Sequence, residues 1–101
     1  MICTVKSSFI LDQGPGKDKI VLPAGTELMF VDTTHHFYHA YYESHNYTAL
    51  FHFKGQPLEF KFHRVHGTAS FQLMSCSYSH DQTKKLYWKD AFEGDCPLSV
   101  N

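Results

Sequence analysis

HHFYHAYYESHNYTALFHF, residues 35 to 53, sets five histidines and seven aromatic rings in nineteen positions. Asparagine tolerates left-handed backbone, so a tight turn is expected at His45-Asn46, making the stretch a β-hairpin in which the numbers of facing residues sum to 91. Side chains alternate between faces along a strand. In this register one face collects Tyr38, Ala40, Tyr42, Tyr47, Ala49, Phe51 and Phe53, and the other His39, Tyr41, Glu43, Thr48, Leu50 and His52. A three-residue loop would mix the two sets, so the composition itself selects the register.

The hairpin extends in both directions. Lys54-Gly55-Gln56-Pro57 is a turn leading into LEFKFHRV, where Leu58, Phe60 and Phe62 alternate with Glu59, Lys61 and His63. Pairing Phe53 with Leu58 carries the aromatic face onto a third strand. Each buried ring contributes about 1.5–3 kcal/mol, so this meander is expected to anchor the core. Upstream, CTVKSSFIL (3–11), KIVL (19–22) and TELMFVD (26–32) read as strands, separated by DQGPGKD and Pro23-Ala24-Gly25. The glycine-rich DQGPGKD lacks the GK[ST] and following helix of a phosphate loop, which leaves turn chemistry. Downstream, SFQLMSC (70–76) reads as a last strand. Ser79 with Gln82 has capping-box spacing, Tyr87, Trp88, Ala91 and Phe92 recur at helical spacing, and Gly94 is a stop, which together predict a helix over 81–93.

The expected fold is therefore mainly β: a small SH3-like or OB-like barrel of six to seven short antiparallel strands with one C-terminal α-helix. It forms a single domain over 1–101, with the barrel in 1–78 and the helix and tail in 79–101. A length of 101 residues, 43% apolar and 16% aromatic, suits one packed core. A net charge of -1, from nine basic and ten acidic residues, argues against a protein built mainly to neutralise nucleic-acid phosphates or an anionic membrane. Cys3, Cys76 and Cys96 are odd in number and show no CxxC spacing, so free thiols and a cytoplasmic location are expected. No stretch approaches about 18 consecutive apolar residues, so no membrane association is expected.

The polar face supplies the candidate site. In the expected registers His39 opposes His52, and His52 opposes Glu59, in one row across three strands, with Cβ atoms about 4.5–5.5 Å apart. Two imidazoles and a carboxylate are ligands for zinc or another divalent ion, although no cofactor is required by any motif. The same three residues could act as general base, general acid and orienting carboxylate, with Lys61 or Arg64 on a phosphate, in a small phosphodiesterase or nuclease. No GxSxG or HExxH supports catalysis, and His66-Gly67-Thr68 is a single triplet where two-histidine phosphoesterases need two. A single-stranded nucleic-acid surface would draw on Tyr41, Lys54, Lys61, His63, Arg64, Lys84 and Lys85. The leading expectation is a non-catalytic binding or inhibitory module, of the kind a phage or mobile element encodes, that meets a protein partner through His39, Tyr41, Leu50, His52, Glu59, Lys61 and His63. An edge strand with an exposed tyrosine would also let two copies pair.

Overall fold

The computed structural model describes residues 1–39, 43–65, 67, 68, 70–93 and 96, with the backbone alone for 37–39, 43 and 44. Among them run β1 (Ile2–Thr4), β2 (Phe9–Leu11), β3 (Ile20–Leu22), β4 (Glu27–His39), β5 (Glu43–Phe53), β6 (Gln56–Arg64), β7 (Phe71–Met74), β8 (Cys76–Tyr78) and a single helical turn, α1 (Trp88–Ala91). Five strands in the order β1-β4-β5-β6-β7 form an antiparallel sheet that curls into a half-barrel, and β3-β2-β8 form a second, smaller sheet. The mainly β expectation holds. Among the described residues the strands number eight, against the six to seven expected, and β4 and β5 are long.

The aromatic stretch is a hairpin, but it turns elsewhere. His36 pairs with Asn46 and His39 with Glu43, so His45 and Asn46 lie inside β5, and β4 runs unbroken from the TELMFVD segment into the histidines. An extra residue at Val31 bulges β4 between Phe30 and Asp32. Below that bulge Met29 pairs with His52. The β5–β6 connection is tighter than expected. Lys54 (φ 51°) and Gly55 (φ 76°) both take left-handed backbone, so Phe53 pairs with Gln56 instead of Leu58. Two positive φ values make the primed two-residue turn that matches strand twist, and Gly55 takes its share without strain. The resulting slip is two residues, an even number, so every side chain on β6 keeps its expected face while changing its neighbour.

Alternation therefore builds the core as expected. Ala49, Phe51, Leu58, Phe60 and Phe62 are buried on the inner face of the half-barrel, with Leu28 from β4. The small sheet and the C-terminal segment close over them. Phe9 meets Phe60 edge-on at 6.0 Å, and Phe92 stacks on Phe51 at 5.5 Å between centroids. Trp88 leans on Phe62 at 5.1 Å.

Three segments differ from the expectation. The first strand divides, because β1 pairs with β4 in the large sheet whereas β2 pairs with β3 and β8 in the small one. Strand SFQLMSC divides likewise at Ser75, whose φ of 59° turns the chain from β7 in the large sheet to β8 in the small one. The helix shrinks from 81–93 to one turn, since local bonds claim its first half. Asp81 accepts from the Thr83 N–H and hydroxyl and holds 81–84 as a turn, while the Leu73 N–H donates to the Leu86 carbonyl and Tyr87 bridges Gln72, so Leu86 and Tyr87 lie along the edge of β7. The expectation of free thiols also fails for two of the three cysteines. Cys3 on β1 and Cys96 are joined as a disulfide, with Cα atoms 4.8 Å apart. Their distance of 93 positions along the chain hid a proximity that only the fold creates.

Candidate functional site

The outer face of the large sheet is laid out by the pairings. One row crosses four strands as Ile2, Met29, His52 and Pro57. The next carries Asp32, Leu50 and Glu59, the third Thr34, Thr48, Lys61 and Met74, and the last His36, Asn46, His63 and Gln72. The row expected from sequence is not assembled. His52 faces Met29 and Pro57, Glu59 faces Leu50, and the backbone of His39 lies ten residues along β4 from Met29, roughly 33 Å at strand rise. Among the described residues no three His, Cys, Asp or Glu side chains gather as a metal site would require. Tyr41 and His66 lie outside the described residues, and His39 is described by its backbone alone. Leu50, His52, Glu59, Lys61 and His63 do share the outer face, as alternation foretold.

That face carries apolar surface the sequence reading missed. Met29 is 53% exposed, Ile2 45% and Met74 43%, and Val31 at the bulge 47%. Half-buried Leu50 lies in the row next to that of Met29, Asp32, Glu59 and Lys61 edge the patch with charge, and His52 stands within it between Met29 and Pro57. A signal for it existed. Leu28 to Val31 are apolar without interruption, and a strand with one buried face has only every second position to bury. The surplus had to face out.

At the corner where β7 ends, the loop 12–17 leans toward β6 and leaves a cleft of about 440 Å³ bordered by Asp12, Lys17, Glu59, Lys61 and Met74. The loop is held by its own bonds: the Asp12 carboxylate accepts from the Gly14 N–H, and the Asp12 N–H donates to the Ser75 carbonyl.

On the inner face the rings form a ladder. His35, Tyr47 and Phe62 stand side by side on β4, β5 and β6, with centroid spacings of 4.6 and 5.0 Å that follow the strand spacing. His35 also meets His45, Nε2 to Nδ1 at 2.9 Å, one ring donating and the other accepting. The ladder begins in the core at Phe62 and ends at exposed His35 on β4.

No family model, curated protein or solved structure matches the chain. Chemistry must therefore be read from the surface itself.

Proposed function

We propose that the chain is a non-catalytic binding module that presents the outer face of its five-stranded sheet to another protein. The observation carrying this reading is the exposed apolar pair Ile2 and Met29, widened by half-buried Leu50 in the next row and by Pro57 beyond His52, with charged side chains at the border. An apolar centre with a polar rim is the anatomy of a protein interface, and methionine adapts to an irregular partner surface. Binding there would block whatever the partner's matching surface does, which makes the module inhibitory. A half-barrel closed by a small second sheet also suits an SH3-like or OB-like module. Among the described residues Tyr47, Phe51, Phe60 and Phe62 pack on the inner face, which favours a protein-binding outer face over a base-stacking one. A buried disulfide favours an oxidising compartment over the cytoplasm. No helix among the described residues is long and apolar enough to cross a membrane.

The test compares three immobilised proteins against cell extract: wild type, Met29→Asp with Leu50→Asp, and Val21→Asp. Val21 is 57% exposed but lies on the small sheet. Wild type and Val21→Asp are expected to retain the same stoichiometric protein and the double variant to lose it. Equal recovery by all three, or recovery of nucleic acid alone, would overturn the reading.

A further inference from the structure

β1 covers only the start of β4. The Phe30 N–H donates to the Met1 carbonyl, and beyond it no described residue pairs with that side of β4, from Val31 to His39. Among the described residues this leaves nine consecutive positions of unpaired edge, about 30 Å of backbone, the kind of template that another strand completes. Which groups point outward follows from the bulge. Leu28 and Phe30 direct their backbone toward β1, and the extra residue at Val31 shifts the alternation, so Thr33, His35 and Phe37 direct N–H and C=O to the vacant side. The Thr33 N–H confirms this. It donates not to β5 but to the Asp32 carboxylate, at 2.8 Å.

We propose that two copies of this chain pair antiparallel through this edge, about a two-fold axis at Thr34. Edge-to-edge pairing requires outward-facing residues to meet outward-facing residues, so only positions of equal parity can face each other. With the axis at Thr34 the ladder runs from Val31 to Phe37 of each copy, stopping where Met1 already pairs with Phe30, and Asp32 faces the second copy's His36 and His36 its Asp32 on the outer face. Moving the axis to His35 leaves Thr34 against His36, and moving it to His36 sets that histidine against itself. Only the Thr34 register sets a carboxylate beside an imidazole that can donate a hydrogen bond to it, and it does so twice. Thr33 then forms a hydrogen-bonded pair with the second copy's His35, and the mirror pair does the same. The Thr33 N–H passes from the Asp32 carboxylate to a carbonyl of the new strand, releasing Asp32 for histidine. Thr34 meets its own copy as a non-hydrogen-bonded pair, the closer kind, with Cα atoms about 4.5 Å apart. Because a backbone edge is used, this pairing does not depend on the protein-binding reading of the outer face.

The close pair at the axis gives a direct test, since about 4.5 Å lies within disulfide reach. In a Cys76→Ser background, Thr34→Cys is expected to form a covalent dimer under mild oxidation, at least tenfold faster than Val21→Cys. Sedimentation velocity should show wild type shifting from monomer to dimer as concentration rises. Asp32→Lys should weaken the association at least tenfold, and exchanging the two side chains as Asp32→His with His36→Asp should restore it. A wild type that stays monomeric into the millimolar range overturns the proposal. So does Thr34→Cys cross-linking no faster than Val21→Cys, or an exchange variant no better than Asp32→Lys.

Discussion

Reducing the Cys3–Cys96 bridge should remove close to half of this protein's stability. The bridge ties β1 to the end of the described chain across 93 positions. On the chain-entropy account, a cross-link closing a loop near 100 residues withholds about 4.7 kcal/mol of freedom from the unfolded chain, and losing a native bridge in a small domain costs about 2–5 kcal/mol. A chain of this length has roughly 5–15 kcal/mol in all. Both cysteines are buried, Cys3 completely. At about 4–8 °C per kcal/mol for a domain of this size, a loss of about 4 kcal/mol lowers the melting temperature by about 15–30 °C. The assay is urea unfolding with and without a phosphine reductant, repeated on Cys3→Ala with Cys96→Ala. The midpoint should fall and the slope rise, because the untied chain exposes more surface when it unfolds. Three alkylatable thiols in the untreated, denatured protein would refute the reasoning outright. Coincident unfolding curves with and without reductant would refute its magnitude.

Two further predictions come from single positions. Burial pushes the Cys76 thiol from 9.0 up to about 12. The folded state therefore holds a proton that the unfolded state releases above pH 9, so the stability tied to this thiol is intact below pH 9 and falls by up to about 1.4 kcal/mol per pH unit as pH rises toward 12. Unfolding curves of wild type and Cys76→Ala should diverge over that window, and parallel curves would show that the thiol is not desolvated. At the β5–β6 turn, Lys54→Asn should stabilise by about 0.5–1 kcal/mol, asparagine being the better residue for left-handed backbone, and Gly55→Ala should destabilise by about 1 kcal/mol or more. Unfolding midpoints check both, and a stabilised Gly55→Ala would mean the turn has another geometry.

On β5 from Tyr47 and on β6 the sequence made parity legible and concealed register. On the first arm of the hairpin the facing sum moved from 91 to 82, an odd slip that gives His39 and Glu43 the parity of Tyr47 instead of Leu50. LEFKFHRV alternates so cleanly that Leu58, Phe60 and Phe62 had to share a face, and a slip of two residues leaves that intact. Register depends on where the chain reverses, and two turns competed for the aromatic stretch. His45-Asn46 offers good turn chemistry, yet a hairpin reversing there would set Phe51 opposite Ala40 and leave only Tyr47 to Phe53 for the second strand. The long β4, carried past its Val31 bulge to His39, instead lets β5 pair along its whole length and place Phe51 against Phe30. Long-range pairing outweighed a local preference. The row of His39, His52 and Glu59 fell with the register, while Leu50, His52, Glu59, Lys61 and His63 stayed on the outer face because parity placed them there. Ser79 and Gln82 were misleading for a related reason: capping spacing is local, and Asp81 offered the Thr83 N–H a closer bond. Nothing local could have revealed Cys3 beside Cys96.

The same separation of faces makes the outer surface open to experiment. Along β5, Ala49 and Phe51 are completely buried, whereas His52 is exposed and Leu50 half-buried on the other side. Exposed positions away from special features usually change stability by no more than about 0.5 kcal/mol. A Met29 or Leu50 variant that loses its partner while keeping its unfolding midpoint has thus lost a surface, not a fold. The β4 edge differs in kind, because pairing there engages backbone groups and leaves the outward side chains of the sheet uncovered. A second copy joined at Thr34 would continue the half-barrel through the two-fold axis into a ten-stranded sheet, five strands from each copy. Two apolar rows would then lie on one continuous outer face, with the paired Asp32 and His36 residues between them. A module that binds weakly through one such row gains avidity when two are held on a rigid sheet. The free edge and the apolar face would then serve one binding event.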